Sequence, residues 1–146
     1  MNFWRLTTRS TEEEAFNGQG ASKYGGRWNS KGTKMVYCSD SVSLAVLENL
    51  VHFDVDIAPP LYLYEIEIEH KNIFSDPATT SLLKDESRSK AYGDKWVSSN
   101  KTVALKVASA VVANESNYLL SPEHTDFKKL NIVFHGLFDL DARLKK

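Results

Sequence analysis

From Leu61 to Glu69 the chain alternates with a period of two: Tyr62, Tyr64, Ile66 and Ile68 point one way, and Leu61, Leu63, Glu65, Glu67 and Glu69 the other. Such a run is a β-strand. A strand cannot stand alone, because its backbone groups need partners and its apolar side needs a covering layer. Candidate partners are the shorter apolar runs Phe3 to Thr7, Met35 to Cys38, Val103 to Val107 and Ile132 to Phe138. Helical spacing supplies the cover. Ser39 or Asp40 offers an N-cap for a helix reaching about Phe53, in which Leu44, Leu47 and Val51 would face the core beside Ala45 and Leu50. Thr79 to Trp96 also reads as helical, with a break near Gly93. The 146 residues hold no repeat, low-complexity tract or domain boundary, so residues 1–146 read as one α+β domain.

Charge excludes one class of function. With 18 Lys and Arg against 19 Asp and Glu the net charge is −1, which gives no bulk field to draw in a nucleic acid, and Lys145-Lys146 is too short a basic tail to change that. A local basic pocket is still compatible with this balance. The single cysteine, Cys38, cannot form an internal disulfide and reads as a small core residue of a protein kept in a reducing compartment. Met1 to Leu6 carries no apolar run of signal-peptide length, and no stretch approaches the roughly 20 apolar residues of a membrane span, so a cytoplasmic location is expected. His52, His70, His124 and His135 show no zinc-like spacing, and no metal is expected. No dinucleotide-fold fingerprint, Walker loop or nucleophile elbow occurs.

Five of the seven glycines, at positions 18, 20, 25, 26 and 32, fall in one stretch that also holds Tyr24, Arg27 and Trp28. A stretch so rich in aromatic residues is a structured loop that lets backbone approach a ligand, not a spacer. Three polar residues stand out against their surroundings: Arg27 in this loop, Tyr37 in an apolar strand and Glu48 on a mostly apolar helix. Singly each has an ordinary reading, as a loop arginine stacked on Trp28, a half-buried strand aromatic and a solvated helix residue. The pair Glu65 and Glu67 is a rival carboxylate site, but Glu69 continues the row as a solvated strand face does.

In combination these residues resemble the RES-domain toxins of bacterial toxin–antitoxin pairs. The likeness runs through Trp4-Arg5-Leu6, Phe16 to Ala21, the block Gly25-Gly26-Arg27-Trp28-Asn29-Ser30-Lys31-Gly32, Val36 to Ser39 and Leu44 to Glu48 with Val51-His52. It continues through Gly93-Asp94-Lys95-Trp96, Ser109 to Val112, Asn117 to Leu120 and Pro122-Glu123-His124 to the segment Phe138 to Leu144. Ser121-Pro122 stands where the family usually has Asn-Pro.

The resemblance implies a compact fold related to ADP-ribosyltransferases, with a mixed, largely antiparallel β core flanked by helices. It also implies NAD as a substrate that is consumed, with no cofactor. Arg27, Tyr37, Glu48 and Ser109 are then the expected catalytic set, and Arg27, Trp28, Tyr37, His52 and Asn117 the expected substrate contacts. Chemistry agrees with that assignment. The planar fork of Arg27 suits a pyrophosphate, and the carboxylate of Glu48 suits a ribose that turns cationic as nicotinamide leaves. Tyr37 would meet the nicotinamide side and Ser109 a ribose or amide group, while His52, one helical turn from Glu48, could hydrogen-bond it. The implied partner is an Xre-type helix-turn-helix antitoxin that covers the site and carries any DNA binding. Two other readings share these residues: transfer of ADP-ribose to a specific protein, and a non-enzymatic nucleotide- or protein-binding module.

Overall fold

The computed structural model describes residues 1–53 and 55–144, so Lys145-Lys146 lies outside the described residues. Among the described residues seven strands form one sheet in the order β4-β5-β6-β2-β1-β3-β7. In chain order they are β1 (Asn2–Thr7), β2 (Val36–Ser39), β3 (Leu61–Glu67), β4 (Ile73–Ser75), β5 (Ala104–Ala108), β6 (Ser116–Leu120) and β7 (Asn131–Phe138). Every neighbouring pair is antiparallel except β4 with β5. The helices are α1 (Glu12–Phe16), α2 (Gln19–Tyr24), α3 (Val42–Leu50), α4 (Thr79–Leu82) and α5 (Glu86–Ser99). The expected α+β class, with a mixed and largely antiparallel core, is therefore what the chain adopts.

The sheet is covered on both sides. One face carries Phe3, Val36, Tyr64, Ile66, Tyr118 and Leu120, packed under Ala15 and Phe16 of α1. The Phe3 and Tyr118 rings stack at 4.3 Å between centroids. The opposite face has two separate cores. Leu6, Leu61 and Leu63 pack against Ala45 of α3 at one end. Leu105, Val107 and Leu119 pack against Leu82 of α4 and Trp96 of α5 at the other. Tyr37 and Ser39 of β2 and Asn117 of β6 share this face by strand alternation, and they lie in the gap between the two cores.

Several expectations need correction. α3 begins later than expected, with Ser41 as N-cap accepting from the Leu44 amide at 3.1 Å. Leu47 and Val51 do not face the core; they are 42% and 52% exposed. The stripe that is core at Leu44 becomes the wall of a cleft at Glu48 and Val51. The glycine-rich stretch is not loop throughout, since its first half folds into α2. Both faces of β3 are buried at its start, so the side carrying Leu61 and Leu63 is covered, and Glu65 is bonded to Asn2 and His135. Strands β4 and β6 were not expected at all.

Helix α5 is also unbroken at Gly93. A Cβ at this position would fall 1.7 Å from the Trp28 carbonyl oxygen, so the glycine is a point of backbone contact and not a helix breaker. On either side of it, the Ser89 hydroxyl donates to the Arg27 carbonyl at 2.6 Å and Asp94 accepts from the Ser30 amide at 2.9 Å. Burial alone would raise the Asp94 carboxyl, but hydrogen bonds from Ser30 and Thr33 hold it below the usual carboxylate value. Three residues on α5 thus clamp the Arg27 loop to that helix.

Replacing Gly93 by Ala is expected to lower stability by about 3 kcal/mol in urea unfolding, since neither backbone can move aside. Gly20→Ala, where nothing lies within 4 Å, is expected to be neutral or to stabilise α2 by up to about 1 kcal/mol. Burial pushes the Cys38 thiol up to about 12, so native protein at pH 8 is expected to resist iodoacetamide, with alkylation appearing only in denaturant.

Candidate active site

A cleft of about 700 Å³ opens in the gap between α3 and α5. Its size lies within the roughly 300–1,000 Å³ of small-molecule sites. Arg27 borders it from the clamped loop, Glu48 from α3, and Tyr37 and Asn117 from the sheet beneath. With Trp28 and His52, which also line it, six of the residues expected from the sequence therefore meet in one cavity.

Glu48 is the best-held of them. Its Oε1 accepts from the Ser109 hydroxyl and from the Asn117 side-chain amide, each at 2.7 Å. Among the described residues both bonds fall on this one oxygen, which leaves Oε2 for the cleft. Ser109 Oγ also accepts from the amides of Val111 and Val112, at 3.1 and 3.0 Å. With both acceptor positions filled, the hydroxyl proton can only point at Glu48. Ser109 thus serves the carboxylate directly, a different contact from the ribose or amide contact expected for it. His52 lies exposed at the rim of the cleft, and the bonds to Glu48 come from Ser109 and Asn117.

Tyr37 is tied inward. Its hydroxyl donates to Asn29 Oδ1 at 2.6 Å and accepts from the Trp28 amide at 3.1 Å. Burial raises its pKa well above the ordinary tyrosine value, so the phenol stays neutral. A Cβ on Gly26 would come within 2.5 Å of that hydroxyl, so this glycine makes room for the tyrosine. What Tyr37 can offer a ligand is its ring. Trp28 borders the cleft but is only 2% exposed, its indole edge-on to Tyr92 within the core. The Arg27 guanidinium is half-buried and donates to the Leu83 carbonyl at 3.4 Å, a long bond that leaves most of its fork available.

Some residues at the cleft were not anticipated in a functional role. β1 and β2 pair at the single position Trp4↔Ser39, and Arg5 occupies the split beyond it. Its guanidinium donates to the carbonyls of Ala15 at 2.7 Å and Tyr37 at 2.9 Å. Burial lowers its pKa, yet an arginine remains charged, so Arg5 adds a second cation to the floor of the cleft. An arginine inside an apolar strand was a legible signal for it. Asn29, fully buried, secures the Arg27 loop by donating to the carbonyls of Ala21, Ser30 and Thr33. Glu65 and Glu67 do not border the cleft, and Glu67 accepts from Asn131 of β7. Among the described residues no group of three His, Cys, Asp or Glu side chains stands close enough to hold a metal, and no helix is long and apolar enough to cross a membrane.

Comparison with known proteins agrees with this architecture. The family model described as RES domain matches residues 2–141. Toxin Res of Yersinia enterocolitica is 36% identical over 159 residues, spanning 99% of this chain and 100% of that protein. The Prs ADP-ribosylating toxin of a Sphingobium species is 37% identical over 151 residues, covering 94% of each. The crystal structure of the M. tuberculosis MbcT–MbcA toxin–antitoxin complex matches with a TM-score of 0.64 over 91% of this chain and 82% of that one, at 18% identity, which is a likeness of fold. A family model matched along almost the whole chain, and relatives more than one-third identical from end to end, establish that this chain belongs to the RES domain family.

Proposed function

We propose that this protein is the toxin of a toxin–antitoxin pair and that it cleaves the nicotinamide–ribose bond of NAD, draining the cytoplasmic pool. The observation that carries the reading is that Arg27 and Glu48 border one cleft, with the carboxylate fixed by two donors on the same oxygen. In this reading Arg27, helped by Arg5, grips the pyrophosphate, and the ring of Tyr37 bounds the nicotinamide side.

As the C1′–N bond breaks, its electron pair neutralises the pyridinium nitrogen and nicotinamide leaves as a neutral molecule. No strong general acid is needed. The ribose becomes oxocarbenium-like, and Oε2 of Glu48 faces that charge. At roughly 4 Å and an effective dielectric of about 20 the attraction is about 4 kcal/mol, close to a thousandfold in rate if felt mainly in the transition state. Water or phosphate then bonds to C1′ and sheds its proton to solvent.

A second reading keeps the same site and passes ADP-ribose to a protein. It is favoured by the similarity to a relative named as an ADP-ribosylating toxin. We also infer a partner, an antitoxin of the Xre helix-turn-helix type, seated over the mouth of the cleft, where Val51 and Val111 are exposed. A chain of net charge −1 would then reach DNA only through that partner.

Purified protein incubated with NAD is expected to release nicotinamide, detected by chromatography, and absence of release defeats the proposal. Glu48→Gln is expected to lower kcat about a hundredfold or more with KM little changed. Arg27→Ala is expected to raise KM about tenfold or more, because it removes charge-assisted bonds formed in the ground state as well. Mass spectrometry of cell proteins after expression separates the two acceptors: loss of NAD with unmodified proteins favours water or phosphate, and a mass gain of one ADP-ribose on a defined protein favours transfer.

A further inference from the structure

Behind Asn117 lies a residue that borders not the main cleft but a smaller adjoining pocket, which it shares with Glu48 and Asn117. Ser39, at the end of β2, is nearly buried, and its hydroxyl donates to Asn117 Oδ1 at 2.9 Å. The two residues are direct cross-strand partners in the β2–β6 ladder, so the sheet fixes their separation. Asn117 then presents its Nδ2 to Glu48. The result is a single relay, Ser39 to Asn117 to Glu48, met from the other side by Ser109.

We propose that Ser39 is a positioning residue, whose hydroxyl holds the Asn117 amide in the orientation that aims Glu48 into the cleft. The inference rests on the reading of Glu48 as the carboxylate that faces the ribose. The two ends of an asparagine amide have almost the same shape but opposite hydrogen-bonding character, and a carboxylate accepts only. Asn117 can therefore support Glu48 only with its nitrogen turned toward it and its oxygen turned toward β2. There the oxygen needs a donor, and Ser39 supplies one. Without that hydroxyl the oxygen is left unpaired in a shielded place, and the amide gains by rotating away toward water. Glu48 then keeps Ser109 but loses its second anchor. Bonds in series polarise one another, so the loss is felt at the carboxylate and not only locally.

The test combines a readout of geometry with one of turnover, on wild type, Ser39→Ala, Ser39→Thr, Asn117→Ala and the double variant, each checked by thermal melting. In the side-chain amide NMR spectrum of wild type, one Asn117 proton is expected downfield and protected from exchange; Ser39→Ala is expected to abolish both properties and Ser39→Thr to restore them. In nicotinamide release, Ser39→Ala is expected to lower kcat about tenfold with KM within about twofold, and to cause no further loss in an Asn117→Ala background. If Ser39→Ala does not fold, Ser39→Cys, close in size but a weak donor, takes its place in the same measurements. An unchanged Asn117 signal in Ser39→Ala, or losses that multiply in the double variant, overturns the proposal. Should wild type release no nicotinamide, the functional reading fails by itself, and the amide signal alone still decides the role of Ser39.

Discussion

The candidate site depends on the register of β6. This strand lies between β2 and β5, so that Asn117 faces Ser39 on one side and Val107 on the other. A slip of one residue in either ladder would turn the Asn117 side chain through the sheet, bring Tyr118 to the cleft and bury an amide among Phe3 and Val36. The stack of Phe3 on Tyr118 and the full burial of Leu119 and Leu120 penalise that slip from both faces. Apolar packing on the two sides of β6 thus orients the polar group between them.

Much of the fold was legible because it rests on local patterns. The alternation of Leu61 to Glu67 and the apolar runs of β1, β2 and β5 mark strands whose burial follows their composition, and β7 was legible as a strand although Val133, Phe134 and Leu137 are exposed on it. β6 was not legible, since Ser116 and Asn117 open it with polar residues, of which Asn117 is suited to its place because the cleft lies above it. The exposure of Leu47 and Val51 escaped for a related reason. Helical spacing reports one stripe, but not where along it a cleft replaces the core. Gly93 misled in a third way: propensity marks glycine as a breaker, and only the neighbouring carbonyl of Trp28 explains its place within a helix.

The site itself was legible in part. Arg27, Tyr37, Glu48 and Asn117 were marked by resemblance, and they share a cavity. The division of labour among them was not. Tyr37 commits its hydroxyl to Asn29 and the Trp28 amide, and Ser109 commits its oxygen to the amides of Val111 and Val112; such commitments depend on how the neighbouring loops fold, which residue types alone do not report. The residues that hold others in place, Ser39, Ser89 and Asn29, have no unusual feature in the sequence, because a single serine or asparagine in a strand or loop is common. Their importance comes from what they touch.

The carboxylate anchorage has one further consequence. Ser109 and Asn117 reach Glu48 across 61 and 69 residues of chain, and Ser39 reaches Asn117 across 78. The contacts are therefore of high contact order, and making them requires closing the long segment of chain that runs from α3 to β6. A polypeptide still emerging from the ribosome has Arg27, Tyr37 and Glu48 in hand well before it has the strand that aims the last of them. The proposed site is complete only with the final third of the protein, so a chain that stops short of Ser109 contains the arginine and the glutamate but neither anchor of the carboxylate.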